Sequence, residues 1–471
     1  MTIDKSLELS SAEMRNLVAI ATEAVVKHLE TLASQPSANT EGGAALARSL
    51  RDGLPEQGAA AQDLIRLVLE KLVPVSFNTA GPGYIAYIPG GGLFHSAVAD
   101  LIADATNRYV GVWAAAPGLA QLEANVVAWF CEIVGYPKSA RGILTSGGSL
   151  ANFSALVTAR RERLPEDFLH GTVYVSDQAH HSIHKAALLA GLPQRNIREI
   201  PCDQRYRIRI DRLEARLRED RQAGLCPFLI VGSAGTVHTG AVDDLEALAE
   251  VAERETLWFH VDGAYGGFFM LTDTGRERMR GIGRADSITL DPHKGLFLPY
   301  GTGSLLVRNG EALKRAHQLS ADYLPAMQED PDLVDFCLYS PELSRDFRGL
   351  RVWLPIKMHG IGTFRRNLEE KLELTRWATE QLRKIPEIEI LAEPQLSIVA
   401  FRLNRPGLDL PSLNRLNQAF LEKINGRKRI FMTGTKLGEV FALRICILSF
   451  RTHLARMEQG IEDIEAAARQ M

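Results

Sequence analysis

The chain has 471 residues, 46% of them hydrophobic and 24% charged, with a formal net charge of −3. That length exceeds one compact core and points to two or three domains, and the near balance of charge gives no electrostatic reason to bind nucleic acid or an anionic membrane, so the expected partner is a small molecule. Cys131, Cys202, Cys226, Cys337 and Cys446 lie scattered without a CxxC pair, which argues against a structural zinc site or a disulfide framework and suits a reducing compartment. No basic and then apolar pattern opens the sequence, and no apolar run nears the roughly 20 residues of a membrane span, so a cytoplasmic protein is expected.

Ser10 and Glu13 stand at capping-box spacing ahead of Leu17, Ile20, Ala21, Ala24, Val25, Leu29 and Leu32, whose recurrence predicts an amphipathic helix. A polar run over 34–43 ends it, and a second helix is expected over 63–72, closed by Pro74. Residues 1–75 are too few and too helical for a core of their own and should pack on the body or on a second subunit. At 81–92, GPGYIAYIPGGG reads as an irregular segment where backbone comes close to something, or as a plain loop. Helical patterns come next at 97–106 and 120–134, with Trp113 between them.

Short apolar runs at 142–145, 172–176, 198–201, 228–232, 257–261 and 287–290 then alternate with helix-length segments, and 301–307 reads as a further strand. This is the pattern of an α/β domain with a mostly parallel central sheet and crossover helices on both faces. Residues 320–340 are polar and contain proline, as a lid would. A long helical region over 343–384 precedes strands at 389–391, 397–403, 430–433 and 442–448 and helices at 413–424 and 455–469, a small α/β domain with an antiparallel sheet. The expected division is therefore 1–75, 76–355 and 356–471.

In such sheets ligands gather at the carboxyl ends of the strands. Four features lie there. Thr145 to Ser149 leaves a strand and opens a helix containing Asn152, so that Gly148 and Ser149 form either an anion cradle or a tight strand-helix turn. Asp262 in HVDGAYGG needs a cationic or N–H partner, or serves as a cap or in an ion pair. His180 in SDQAHHSIH can stack on a flat ring or cap the next helix. Lys294, after His293 and before Gly295 to Leu298, would be costly to bury as a free ammonium, and bonding to an aldehyde removes that charge. Together the four suit pyridoxal 5'-phosphate: phosphate at Ser149, ring nitrogen at Asp262, ring face at His180, aldehyde at Lys294.

From about Tyr84 onward the sequence resembles the group II pyridoxal-phosphate decarboxylases, a family that includes aromatic amino acid, histidine, tyrosine and glutamate decarboxylases. The resemblance rests on AYIPGGG, APGLAQLE, TSGGSLAN, SDQAHHSIHKA, GTVHTGAVDDL, HVDGAYGG, DPHKG and LSRDFRGLRVW, in that order. It implies fold type I, a homodimer with the active site at the subunit interface, and an amino-acid substrate. It also implies that Lys294 bonds the cofactor, Asp262 meets the ring nitrogen and His180 stacks on the ring. Gly148, Ser149 and His293 would contact the phosphate, and Thr236 and Ala264 would line the cofactor. Tyr87, Ile88 and Pro89 match the substrate-pocket segment, with Trp113 near it.

The departures concern the step after the carboxylate is lost. Aligned on LSRDFR, Phe336 falls where the family's decarboxylases carry a loop tyrosine that protonates the α-carbon, and phenylalanine has no proton to give. In plant relatives that replacement accompanies aldehyde synthases, so decarboxylation to an amine is the expected reaction and oxidative aldehyde formation the alternative. Tyr323 or Tyr339 could stand in as the acid. Asp291 replaces an asparagine common in relatives and is given no chemical role. Gly295 replaces the tryptophan of animal enzymes and should leave room near the cofactor. Tyr84, Tyr87 and Trp113 favour an aromatic substrate. Two other readings are weaker. A metal site at His180, His181 and His184 lacks the glutamate of HExxH, and Gly281 and Gly283 do not extend to a dinucleotide-binding GxGxxG.

Overall fold

The computed structural model describes residues 7–318, 330 and 332–471. The first helix runs Ser11–Glu30, with Ser10 and Glu13 making the reciprocal capping box. The second expected helix spans Ala61–Arg66 and continues as a wider π turn, Leu67–Leu72. None of these N-terminal helices contains a buried residue.

The body is organised on seven strands: β1 Arg141–Thr145, β2 Gly171–Ser176, β3 Ile197–Ile200, β4 Cys226–Ser233, β5 Trp258–Asp262, β6 Ser287–Leu290 and β7 Gly303–Val307. Their spatial order is β1-β7-β6-β5-β4-β2-β3. The run from β6 to β3 is parallel throughout, and β7 lies antiparallel to both of its neighbours. β2, β6 and β7 are buried along their whole length because helices cover both faces, which is why their sequences read as continuous apolar runs without alternation. The parallel arrangement brings the carboxyl ends of β4, β5 and β6 to one edge, beside the start of the helix Gly148–Arg163 that comes after β1.

A second sheet holds β8 Ile388–Ala392, β9 Ile398–Leu403, β10 Thr433–Leu437 and β11 Val440–Cys446, all antiparallel, in the order β10-β11-β9-β8. It has its own apolar core. The strand expected at 430–433 begins only at Thr433, because the preceding residues are taken by another partner. Phe431 exchanges backbone bonds with the 81–92 segment, whose Ile85 also accepts from Cys446. That segment is thus clamped between the two sheets. Its glycines are needed for close approach: a Cβ at Gly83 would lie 2.2 Å from the Arg429 carbonyl, and one at Gly90 would lie 2.0 Å from the His293 carbonyl.

The helical region expected over 343–384 is two helices, Arg348–His359 and Ile361–Lys384, broken at Gly360, whose φ of 69° no helix continues through. Residue 356, the expected domain boundary, lies inside the first of them. Of the expected lid, residues 320–329 and 331, Tyr323 among them, lie outside the described residues. Among the described residues no helix is long and apolar enough to cross a membrane.

Candidate active site

A cavity of about 420 Å³ opens at the carboxyl ends of β4, β5 and β6, a size typical of small-molecule sites. On one side stands the helix Gly148–Arg163. It begins at Gly147 without a side-chain cap, and while the Leu150 N–H turns back to the Gly147 carbonyl, those of Gly148 and Ser149 are left for an anion. Opposite, Asp291 stands just after β6 and Pro292 starts a single helical turn, Pro292–Gly295, that points Lys294 into the cavity. Two non-glycine residues hold left-handed backbone beside the site, Tyr87 at φ 48° and Phe297 at φ 63°, a strain that packing must sustain.

Lys294 Nζ lies 2.9 Å from Asp291 Oδ2. Burial alone would lower the lysine's pKa, but the adjoining carboxylate outweighs it and the net shift is upward. His293 donates from Nδ1 to the Thr302 carbonyl, 2.6 Å away, and burial lowers its pKa. The Asp291 carboxylate also reaches over the cradle: a Cβ at Gly148 would come within 2.9 Å of Oδ2, which accounts for glycine there.

Asp262 ends β5, and its carboxylate is fixed by two donors. Asn152 Nδ2 donates to Oδ2 at 3.1 Å, and the Ala264 N–H donates to Oδ1 at 3.1 Å. Asn152 is the hub of a buried network. Its Nδ2 also donates to Ser182 Oγ at 2.9 Å, while its Oδ1 accepts from Thr289 Oγ1 at 2.6 Å and from His260 Nε2 at 3.1 Å. His260 Nδ1 accepts from Ser287 Oγ, which accepts from Trp258 Nε1, both at 2.8 Å. The directions follow from Asn152 Oδ1, which can only accept: it takes the proton of His260 Nε2, and the neutral ring then accepts from Ser287 at Nδ1. Burial pushes the His260 pKa down to about 4, so the ring is neutral, as this chain requires.

His180 caps the helix His181–Leu189: its Nδ1 accepts from the Ser182 N–H at 3.2 Å, which leaves the ring proton on Nε2. Burial lowers its pKa and the ring is neutral. The capping and ring-stacking readings are therefore compatible, because the same ring borders the cavity.

Of the residues singled out from sequence, Lys294, Asp262, His180, Gly148, Ser149, Thr236, Ala264 and His293 all border this one cavity, as do Tyr87 and Ile88. Pro89 is buried in the segment behind them. Trp113 is not brought to the cavity. Its N–H donates to Asp335 at 2.6 Å, tying it to the segment that carries Phe336. Phe336, expected at the reacting carbon, is likewise elsewhere. It is 1% exposed, lines a separate cavity together with Val127 and Cys131, and lies under the Arg345 guanidinium, 5.2 Å from ring centroid to Cζ. An aromatic ring with no polar atom gains from that burial. Tyr339 is buried outside the cavity too. Gly295 does not leave room: a Cβ there would lie 2.7 Å from Phe268 Cβ, so a neighbouring side chain already fills the space. His184 pairs with Glu199 at 2.9 Å.

Sequence reasoning passed over Asp291, the hub role of Asn152, and Tyr300 at the cavity mouth. Asn152 sat inside a recognisable motif and Asp291 three residues before the lysine; nothing in LFLPYGTG marked Tyr300.

Residues 45–404 match the conserved domain of the pyridoxal-dependent decarboxylases. Over 471 residues the chain is 33% identical to an aromatic-L-amino-acid decarboxylase of Bacillus atrophaeus, covering all of this chain and 98% of that one. Among solved structures it superposes on Catharanthus roseus tryptophan decarboxylase in complex with L-tryptophan with a TM-score of 0.91 at 24% identity, covering 99% of this chain and 100% of that one. It superposes on Rhodiola rosea 4-hydroxyphenylacetaldehyde synthase with a TM-score of 0.90 at 24% identity, covering 98% and 99%.

Proposed function

The chain belongs to the pyridoxal-dependent decarboxylases, enzymes that remove carbon dioxide from an amino acid with pyridoxal 5'-phosphate, and we propose that its substrate is an aromatic L-amino acid and its products the amine and carbon dioxide. The observation that carries the site assignment is the convergence of eight residues singled out as cofactor contacts, Lys294 among them, on one cavity. The cavity suits the cofactor: an uncapped helix start for a phosphate, a doubly held carboxylate for a ring nitrogen and a lysine for an aldehyde. When bound, pyridoxal phosphate supplies a conjugated ring that accepts the electron pair left at the α-carbon.

The chain's own groups do the rest. Lys294 bonds the cofactor, and Gly148, Ser149 and His293 hold its phosphate end. Asp262, kept in place by Asn152 and Ala264, holds a proton on the ring nitrogen. The neutral His180 covers the ring, with Thr236 and Ala264 along its edge. Tyr87 and Ile88, backed by Pro89, form the substrate side, and their aromatic and apolar character supports an aromatic side chain.

Two further parts belong to this reading. Tyr87 and Tyr300 stand 54% and 60% exposed at the mouth, and the helix Phe94–Thr106 presents Phe94, Val98, Leu101 and Ile102 to solvent. Both features support a homodimer whose second subunit completes the pocket. Five unpaired cysteines and the absence of a strong charge bias support a cytoplasmic setting.

One observation favours a second reading. If its segment leaves the packing under Arg345 in turnover, Phe336 brings no hydroxyl to return a proton to the α-carbon, which supports oxidative formation of an aldehyde. The deciding experiment incubates the protein in air with a panel of L-amino acids and measures carbon dioxide, amine, aldehyde and peroxide together. Amine without peroxide is the expected result. Aldehyde with matching peroxide would replace it with the second reading, and no carbon dioxide from any aromatic amino acid would overturn the substrate assignment.

A further inference from the structure

Asp291 stands just after β6, 1% exposed, in contact with Lys294 of the cavity. Its Oδ2 is 2.9 Å from Lys294 Nζ, and its Oδ1 has no hydrogen-bond partner among the described residues. His293 Nε2 is 3.7 Å away, too far to donate. A buried carboxylate with one cationic contact depends on that contact, because leaving either charge alone is costly.

The other groups facing the pair do not replace it. Asp262 lies across the cavity on β5 but is already held by Asn152 and Ala264. His180 and His293 are neutral, their pKa values lowered by burial. Cys446 on β11 has its pKa raised to about 11 by burial, and Tyr300 at the mouth is raised above its usual value by burial, so both stay uncharged at neutral pH. Asp291 is therefore the negative group that Lys294 touches. An asparagine would fill the same space without the charge.

Resting on the reading of Lys294 as the cofactor lysine, we propose that Asp291 is a positioning residue that docks Lys294 as an ammonium ion whenever the lysine nitrogen is not bonded to the cofactor. The i, i+3 spacing on the turn Pro292–Gly295 fixes the parked nitrogen inside the cavity, so it does not swing toward the mouth. A lysine nitrogen joins a carbonyl carbon only when unprotonated, so the same contact slows cofactor loading at neutral pH and makes it rise with pH.

The test uses the full-length protein freed of cofactor. Carbamylation by cyanate reads the unprotonated fraction of each lysine by peptide mass spectrometry, with exposed Lys436 as internal reference. In Asp291→Asn, carbamylation of Lys294 at pH 8 is expected to rise severalfold, with Lys436 unchanged. Added pyridoxal phosphate should develop its visible absorbance faster in the variant, with the rate profile moved toward acid. Superimposable wild-type and Asn profiles, or slower carbamylation in the variant, would overturn the proposal. If the variant fails to fold, the wild type decides: a Lys294 midpoint above that of Lys436 supports the contact, and one below it refutes it. The cofactor reading fails separately, if borohydride fixes no pyridoxyl group on Lys294, and the cyanate result stands either way.

Discussion

Substituting Asn152 by aspartate tests whether the hub of the buried network sets the charge of the site. The change keeps shape and keeps the acceptor that serves Thr289 and His260. It replaces the amide donor facing Asp262 with an acid at the same 3.1 Å. Two ionised carboxylates at that distance repel by about 5 kcal/mol at an effective dielectric of about 20. The introduced carboxyl should therefore keep its proton up to about four pH units above its value in water, near 3.9. While protonated it donates to Asp262 as the amide did.

Because the folded-state pKa is raised, the folded state binds a proton that the unfolded chain has released, and the variant loses stability as pH rises through that window. Beyond a pH-independent loss of the bond to Ser182, Asn152→Asp should be near parity with wild type at pH 4, about 1.5 kcal/mol less stable at pH 5 and about 4 kcal/mol less stable at pH 7. Urea unfolding of cofactor-free protein at each pH, read as the difference from wild type, measures this. A difference that stays flat between pH 4 and 8 would refute the assignment of Asn152 as the donor facing Asp262.

Three other outcomes rest on the same geometry. Asp262→Ala should nearly abolish turnover while leaving the cofactor bound through Lys294, checked by steady-state kinetics beside the visible absorption band. Glu123 and Arg345 form a wholly buried ion pair at 2.5 Å that anchors the segment after Phe336, so Glu123→Gln should cost about 3–5 kcal/mol by chemical denaturation, and adding Arg345→Met should recover much of it. His260 is neutral and buried with a pKa of about 4, against about 6.5 when unfolded, so stability is full above pH 6.5 and falls by on the order of 3 kcal/mol as pH drops to 4. His260→Gln should lack that part of the acid slope.

What the sequence disclosed and what it hid divide along a physical line. Ser149, Asp262 and Lys294 were legible because each comes just after a short apolar run, and a parallel sheet gathers such ends at one edge whatever the packing between them. Strand positions in the body were legible for the same reason. Features that depend on partners distant in the chain were not. The amide of Asn152 looks like any helix residue until β5, β6 and the helix after β2 bring Asp262, Thr289 and Ser182 around it. Gly295 reads as empty space, but only the fold reveals that Phe268 occupies it. The strand expected at 430–433 starts late because its residues bond to a segment some 350 positions earlier, a pairing no local pattern encodes.

Phe336 is the sharpest case, because its alignment and its place in the fold concern different things. Alignment says which residue stands at a family position, and so that no hydroxyl is available there. The described fold says that the ring lies under Arg345, held by a buried ion pair to Glu123 and outside the Lys294 cavity. A hydroxyl placed on that ring acts only if the segment leaves this packing. Phe336→Tyr should therefore change the ratio of amine to aldehyde little on its own, and more when Glu123→Gln loosens the anchor. A full shift in the single variant, measured as amine per carbon dioxide, would mean that the buried placement is not the one used in turnover.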